Sequence, residues 1–290
     1  MLRGAEHEYP LCLLDTMAVS EMVKRPEGLF RQFVEWSHGG PDIFVPCFTV
    51  YTLMELRRKP DLFGTFIERF DGYPCGMLKG YMELVGEEAA NYPDSSHIEV
   101  CSLVFLPAPL GGEGNRLSNL PSILDRPEYG EQERRWNEAA PKIVEGMASL
   151  VQNYPPENGT AYTQSEVENF QLMASLPQLV YHGHRALVEA ELSAGRAVDL
   201  DAFPSLKAMT FTVFHKFYAD RSRKPLDSDA FDVLMASTLP YVEAFITESH
   251  QAEVIRKTKR RDDFLDGLHV FTLRDFRNGP PVRAATSSPA

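Results

Sequence analysis

The sequence lacks the features that mark secreted, membrane-spanning and zinc-binding proteins. Among its 290 residues there are only four cysteines, and no two of them form a CxxC pair. We therefore expect reduced core cysteines of a cytoplasmic protein, not disulfides or zinc ligands. No apolar run approaches the roughly 18 residues that a membrane span needs. The charged N-terminus precedes only a very short apolar run, which is not the pattern of a signal peptide.

Positive charge is also scarce. Lys and Arg number 29 against 41 Asp and Glu, so the formal net charge is −12 at pH 7. A surface of this sign repels nucleic acid in general, so any nucleic-acid binding requires a local basic patch. One such patch is the run RKTKRR at 256–261, for which a solvated helix end is the alternative interpretation.

Two further motifs are excluded. The glycine-rich stretch 111–114 is not followed by GK[ST], so it is not a phosphate-binding P-loop. His182 and His184 form an HxH pair, but residues two apart on a helix point in different directions. We therefore do not expect these histidines to hold a metal.

What the chain does contain is enough apolar residues for a sizeable core, 43% by composition. Apolar runs alternate with helical patterns at both ends of the chain, which is the β-α-β-α signature of a parallel sheet. Strands are predicted at 11–15, 43–46, 244–247 and 268–272, with helices at 29–36, 49–58, 206–218 and 251–259.

The middle of the chain differs in character. Residues 100–106 are a candidate strand, 107–135 have the composition of a long surface loop, and helical periodicity follows at 139–151 and 165–195. We predict one α/β domain formed by about 10–70 and 205–277, interrupted by a mostly helical insertion at about 71–203. The tail 279–290 is rich in Pro, Ser and Ala and is expected to be disordered.

The stretch 229–249 and the N-terminal strand together suggest a site. Asp229 and Asp232 are three residues apart, so they share one face of a helical turn. The apolar run 244–247 ends at Glu248, and the run 11–14 ends at Asp15. Ligands of parallel sheets bind outside the carboxyl ends of the strands. Acids gathered at that edge predict a divalent-metal site.

These residues resemble a PIN-like nuclease domain. The resemblance rests on LLDT at 13–16, VYTLMELRR at 50–58 and SDAFDVLMASTLPYVEAFITES at 228–249, followed by LHVFTLRDF at 268–276. It covers roughly 10–70 and 205–277 and is closest to the larger PIN-like proteins, whose last acids are separated from the first by an insertion. It implies a three-layer α/β/α fold around a central parallel sheet.

The resemblance also implies a function. In that family, three or four carboxylates bind Mg²⁺ or Mn²⁺ and the enzyme hydrolyses RNA. Carried over, the acids are Asp15, Glu55, Asp232 and Glu248, with Asp229 as an additional candidate. One position departs from the family, because the fourth acid is usually Asp and here is Glu248. Hard divalent ions with carboxylate and water ligands activate water and relieve charge at phosphate.

Further residues complete the predicted nuclease. Thr16 and Thr247 are expected to orient carboxylates or contact phosphate, and Lys257, Arg260 and Arg261 to contact RNA phosphates. The insertion is expected to overhang the acidic edge and restrict the substrate to single-stranded RNA. By family analogy alone, a toxin or defence role with an inhibitory partner protein is conceivable.

Each acid also has a purely structural alternative. Asp15, Asp229 and Glu248 are all placed where a residue can cap a helix. Glu55 can pair with Lys59 four residues later, and Asp232 can interact with the dipole of a first helical turn. The alternative functions are a non-catalytic PIN-like scaffold that binds protein or RNA, and another metal-dependent phosphate enzyme. For the latter, the HAD type is disfavoured because no DxD motif follows at Asp15.

Overall fold

The structure is a computed structural model that describes residues 2–3, 8–40, 43–94, 98–108, 110, 116–157, 161–219 and 225–277. A short antiparallel pair, β1 and β2, precedes a central sheet of six strands in the order β6-β5-β4-β3-β7-β8. The strands are β1 Leu2–Arg3, β2 Glu8–Tyr9, β3 Leu11–Leu14, β4 Val45–Thr49, β5 Cys75–Leu78, β6 Cys101–Phe105, β7 Ala244–Thr247 and β8 His269–Thr272.

The middle of this sheet is formed by the strands that the sequence predicts. β3 pairs in parallel with β4 on one side and with β7 on the other, with Leu13 opposite both Cys47 and Phe245. β8 adds a further parallel strand and β6 closes the far edge in antiparallel orientation. Every residue of β3 and β7 is buried, as expected for parallel strands covered on both faces.

Helices cover both faces of the sheet. They are α1 Thr16–Lys24, α2 Arg31–His38, α3 Val50–Arg57, α4 Pro60–Phe70, α5 Tyr81–Asn91, α6 Leu120–Leu124, α7 Pro127–Asn153, α8 Gln164–Tyr181, α9 Arg185–Ser193, α10 Pro204–Val213, α11 Asp227–Ala236, α12 Ser249–Lys259 and α13 Leu273–Arg277. Two π-helical segments, Pro26–Phe30 and Phe214–Tyr218, lie among them. None of the helices in the described ranges combines the length and apolarity that a membrane crossing requires.

Alternate residues of β3 contribute to opposite sides of the core. Leu14 joins an aromatic cluster with Phe33 and Trp36 of α2, while Leu13 packs in a second cluster with Leu239 and Val254. The three-layer α/β/α fold is therefore confirmed. A third cluster unites α8, α10 and α11, with Phe170, Phe214 and Tyr218 among its buried rings.

The predicted start of the insertion, at about residue 71, does not match the topology of the sheet. β5 and β6 lie inside the segment 71–203, yet both belong to the central sheet. The predicted surface loop 107–135 is also wrong in part, because α6 and the start of α7 occupy 120–124 and 127–135. The start of α7 packs Tyr129 and Trp136 against the core, while its ion pairs of Arg134 and Arg135 with Glu131 are exposed. The predicted tail 279–290 lies outside the described residues.

One strand is displaced from its predicted bounds. The sequence suggests 43–46, whereas β4 spans Val45–Thr49. Phe44 donates its backbone N–H to the carbonyl of Ser37 (2.9 Å), so the chain before Val45 is held by the preceding helix. Thr49 then caps α3 by accepting the backbone N–H of Thr52 at 3.2 Å.

We predict that β5 requires glycine at position 76, because the packing around it leaves no room for a side chain. A Cβ atom there would lie 2.9 Å from the sulfur of Cys47 and 3.3 Å from that of Cys101. We expect Gly76→Ala to lower the free energy of unfolding by about 1–3 kcal/mol through overpacking, measured by urea denaturation.

Two controls separate overpacking from a general effect of removing glycine. Cys47→Ala combined with Gly76→Ala removes the nearer sulfur and is expected to recover most of the loss. In helix α5, Gly86 has no atom within 4 Å of an added Cβ, so Gly86→Ala should stabilise by about 0.5–1 kcal/mol. Equal stability of Gly76→Ala and wild type would contradict the close-packing account.

Candidate active site

Asp15 follows β3 and is buried at the carboxyl edge of the sheet. Its carboxylate accepts hydrogen bonds from the Thr247 hydroxyl, from the Ala18 backbone N–H (2.6 Å) and from the Glu248 backbone N–H (3.3 Å). It therefore caps α1, as the structural alternative predicts, and also joins the end of β7. Burial raises the pKa of Asp15 to about 7, against the lowering effect of these hydrogen bonds, and the charge of Asp232 raises it further.

Glu55 approaches the same edge from α3. It is partly buried and accepts a hydrogen bond from the hydroxyl of Thr16, at the start of α1. Burial raises the pKa of Glu55, the Thr16 hydrogen bond lowers it, and the charge of Asp232 raises it. Lys59 has a smaller, lowering effect on this pKa, so the pairing offered as an alternative is present only as a minor electrostatic contribution.

Asp232 lies on α11, and its charge raises the pKa of Asp15 and Glu55. The helix begins at Asp227, so Asp232 is in its second turn and not in the first turn where the dipole is strongest. Burial raises the pKa of Asp232, while Lys216 lowers it and the charge of Glu248 raises it. Glu248 is exposed at the start of α12, and its side chain makes no capping hydrogen bond.

The four predicted acids come from four places in the chain and are connected by electrostatic effects on their pKa values. Asp232 acts on the pKa of Asp15 and Glu55, and Glu248 acts on that of Asp232. As the side chains stand, no three His, Cys, Asp or Glu residues within the described ranges are arranged to hold one metal ion. Thr16, Thr247 and Lys216 already bind one oxygen each of Glu55, Asp15 and Asp232.

Lys216 is the residue that sequence reasoning missed. The π-helical segment Phe214–Tyr218 places its ammonium group at zero exposure, 2.8 Å from Asp229 Oδ1 and hydrogen-bonded to Asp232 Oδ2. The signal was one of two lysines in the apolar run 206–218, and a helical pattern alone assigns such a lysine to a solvated position. A lysine is almost never fully buried unless it is paired.

Asp229 is engaged in structural contacts. Besides Lys216 on Oδ1, its Oδ2 accepts the backbone N–H of Leu226 at 2.8 Å and so closes the first turn of α11. It is fully buried. These contacts favour the helix-capping alternative for Asp229 over a role as an additional metal ligand.

The basic run divides into two groups. Arg256 donates to the carbonyl of Val270 (3.0 Å) and Lys259 to that of Asp266 (3.1 Å), so both hold the chain around β8. The three residues predicted to contact RNA, Lys257, Arg260 and Arg261, instead line one cleft together with Gln164 and His215. Thr16, the fourth predicted RNA contact, lies at the acidic edge.

Comparisons of the chain with protein-family models, curated proteins and solved structures found no match. The resemblance to PIN-like nucleases therefore rests on the residues of this chain alone. What the site can do follows from its carboxylates and from the buried lysine beside them.

Lys216 is predicted to be required for folding. Lys216→Met leaves the fully buried Asp229 without its cation, and breaking a buried ion pair costs about 3–5 kcal/mol. The double variant Lys216→Met/Asp229→Asn leaves only the partly exposed Asp232 without its cation, and is expected to recover the part of that loss due to Asp229 in chemical denaturation. A single variant as stable as wild type would contradict the role of Lys216 in charge compensation.

The raised pKa of Asp15 predicts a specific pH dependence. The pKa of Asp15 is about 7 in the folded chain, against 3.8 for an unperturbed group. The protonated carboxyl therefore stabilises the fold at low pH, and this contribution is fully lost once the pH rises through 7. Asp15→Asn does not ionise and avoids this loss. In EDTA, we expect the stability of the variant relative to wild type to increase between pH 4 and pH 8 by about 2–4 kcal/mol. A pH-independent difference would contradict the assignment.

Proposed function

We propose that this protein is a Mg²⁺- or Mn²⁺-dependent ribonuclease of PIN-like type, acting on phosphodiester bonds of single-stranded RNA. One observation supports the proposal: Asp15 and Glu248 follow the neighbouring parallel strands β3 and β7, and the charge of Asp232 raises the pKa of both Asp15 and Glu55. Such a concentration of carboxylates is unfavourable for folding alone, since each raises the pKa of its neighbours.

The donor set suits a hard divalent cation. In the described part of the chain, Lys216 is the cation paired with Asp232, and Asp15, Glu55 and Glu248 form no ion pair with Lys or Arg. Carboxylate oxygens are the ligands that Mg²⁺ and Mn²⁺ prefer. Asp15 and Asp232 would be the primary ligands, with Glu55 and Glu248 binding directly or through water. An ion held there would supply Lewis acidity and an activated water.

The side chains around the acids have positioning roles. Thr247 and the Glu248 backbone N–H fix the orientation of the Asp15 carboxylate, and Thr16 fixes that of Glu55. Lys216 holds Asp232 against Asp229, so Asp232 must share its carboxylate between this lysine and a bound ion. A carboxylate can do so because its two oxygens offer about four acceptor positions.

The long helix α7 supports the expectation of a restricted substrate. Its Trp136 packs edge-to-face on Tyr51 of α3 at 5.4 Å between ring centroids. Its Glu133 lies 3.9 Å from Arg58, whose guanidinium stands 5.7 Å from the centroid of Phe231, next to Asp232. This helix therefore packs beside α3 and α11, which carry Glu55 and Asp232, and in the proposed function it would restrict the substrate to a single strand.

A non-catalytic scaffold remains the second candidate, and a specific observation favours it. Lys216 already compensates Asp232, and the described side chains are not arranged around a metal position. Glu248 in place of the family's aspartate points the same way. In this case, the acidic edge would be held together by the lysine alone and would bind no ion.

Metal-dependent RNA cleavage tests the proposal. With Mn²⁺ and a single-stranded oligoribonucleotide, we expect cleavage by wild type and a loss of at least about a hundredfold in Asp15→Asn, which removes one ligand charge at constant shape. Asp263→Asn, at an exposed acid in the turn before β8, is the matched control and should cleave normally. Cleavage that survives EDTA, or that is equal in Asp15→Asn, would exclude the metal-nuclease mechanism.

Metal binding is measured separately by thermal unfolding. An ion that binds only the folded chain stabilises it by about 2.7 kcal/mol at a hundred times its Kd. Wild type and Asp263→Asn should therefore melt higher with Mn²⁺, and Asp15→Asn should not. A bound metal without cleavage, or no metal effect and no cleavage in any variant, would support the scaffold.

A further inference from the structure

A basic cleft is lined by residues other than the four acids. It is bounded by the start of α8, the π-helical segment Phe214–Tyr218 and the end of α12, and measures about 380 Å³. Its lining residues are Gln164, His215, Lys257, Arg260 and Arg261. None of these is among the predicted metal ligands. His215 and Lys216 are adjacent in the chain, but Lys216 contacts the acids while His215 lines the cleft.

Two buried donors of this cleft have no hydrogen-bond partner within the described structure. They are Nε2 of His215, a residue only 6% exposed, and Nε of Arg261. Buried polar groups in native proteins are nearly always bonded, because an unsatisfied group costs about 1–3 kcal/mol. Two such groups on residues that line one cleft indicate an acceptor that the described part of the chain does not supply.

The charges of the cleft specify the acceptor further. Lys257 and Arg261 have no ion pair with a carboxylate among the described residues, whereas Arg260 is paired with Glu253 at 3.0 Å. Burial and the charges of Arg261, Lys257 and Arg260 lower the pKa of His215 to about 4. His215 is therefore neutral at pH 7 and can donate one hydrogen bond from Nε2. The cleft offers donors and two uncompensated positive charges.

We propose that this cleft binds a phosphate monoester dianion. Two charges match the two uncompensated cations, and the tetrahedral oxygens accept the orphaned N–H groups of His215 and Arg261. A phosphodiester, with one charge, would leave one cation unmatched. The same group is offered by a terminal phosphate of RNA and by a small phosphorylated molecule. Binding at this cleft does not depend on the proposed nuclease activity.

Calorimetric titration of the full-length protein at pH 7.5 tests the site. The probes are inorganic phosphate and methyl phosphate, with dimethyl phosphate as the singly charged comparison. We expect wild type to bind the first two and to bind dimethyl phosphate at least about tenfold more weakly, because a charge-assisted contact is lost.

Variants locate the binding. Lys257→Ala and Arg261→Gln should each weaken phosphate binding by about tenfold or more, and His215→Phe should remove the buried donor. Lys142→Ala, an exposed lysine on α7, is the matched control. Lys257 is partly exposed, so its variant folds even if Arg261→Gln does not. Phosphate binding that is absent in wild type, or unchanged in both Lys257→Ala and Arg261→Gln, would overturn the proposal.

Two further arms separate the sources of the phosphate and the two proposed sites. A 5′-phosphorylated oligoribonucleotide that binds more tightly than its 5′-hydroxyl form, with the difference lost in Lys257→Ala, identifies an RNA terminus. Binding of methyl phosphate with no such difference identifies a small phosphorylated molecule. Asp15→Asn should retain phosphate binding in full. A failure of the nuclease proposal would therefore not contradict phosphate binding at the cleft. Loss of phosphate binding in Asp15→Asn would contradict a separate site.

Discussion

The hydrogen bond from the Thr247 hydroxyl to the Asp15 carboxylate joins the ends of the neighbouring strands β3 and β7 of the sheet. It exists because β3 and β7 are parallel neighbours in a register that pairs Leu14 with Ile246, so the residues after each strand emerge side by side. A buried carboxylate needs donors or a cation, and this position supplies donors from the strand end and from two helix starts. The acidic edge is therefore a consequence of the topology.

Charge balance at this edge depends on one lysine. Lys216 compensates Asp229 and Asp232 from a position with no exposure to solvent. Asp15, Glu55 and Glu248 form no ion pair with a Lys or Arg of the described residues, and burial raises the pKa of Asp15 to about 7. The edge is thus partly neutralised by the lysine. In the proposed function, a divalent ion would supply the positive charge that the described residues do not.

Much of this arrangement could be predicted from the sequence, and particular residues show where prediction stopped. The short apolar runs that end at Asp15 and Glu248 located the edge, because an apolar run followed by an acid can be recognised from a few neighbouring residues. Strand β5 was missed because its four residues include Gly76, and its antiparallel partner β6 pairs through an irregular register. Lys216 was missed because its ion pairs join residues 13 and 16 positions away through a π-helical segment, a geometry that no periodic pattern encodes.

The two proposed sites differ in the sign of their charge. Carboxylates collect at the strand ends, while the orphaned donors of His215 and Arg261 collect at the end of α12. In a chain of net charge −12, both depend on local structure and not on overall charge. If the terminal phosphate of an RNA occupied the basic cleft, the rest of the same RNA would be bound to the protein that carries the acids. One substrate would then link the two proposed sites.

The central claim is that the acidic edge holds a divalent ion, and anomalous diffraction from a crystal soaked in Mn²⁺ at pH 7.5 tests it most directly. We expect one manganese peak between the carboxylates of Asp15 and Asp232, with Glu55 or Glu248 facing it. Density for the Lys216 ammonium alone between Asp229 and Asp232, with no manganese peak at the acids, would contradict the claim and leave the lysine as the only cation of this site.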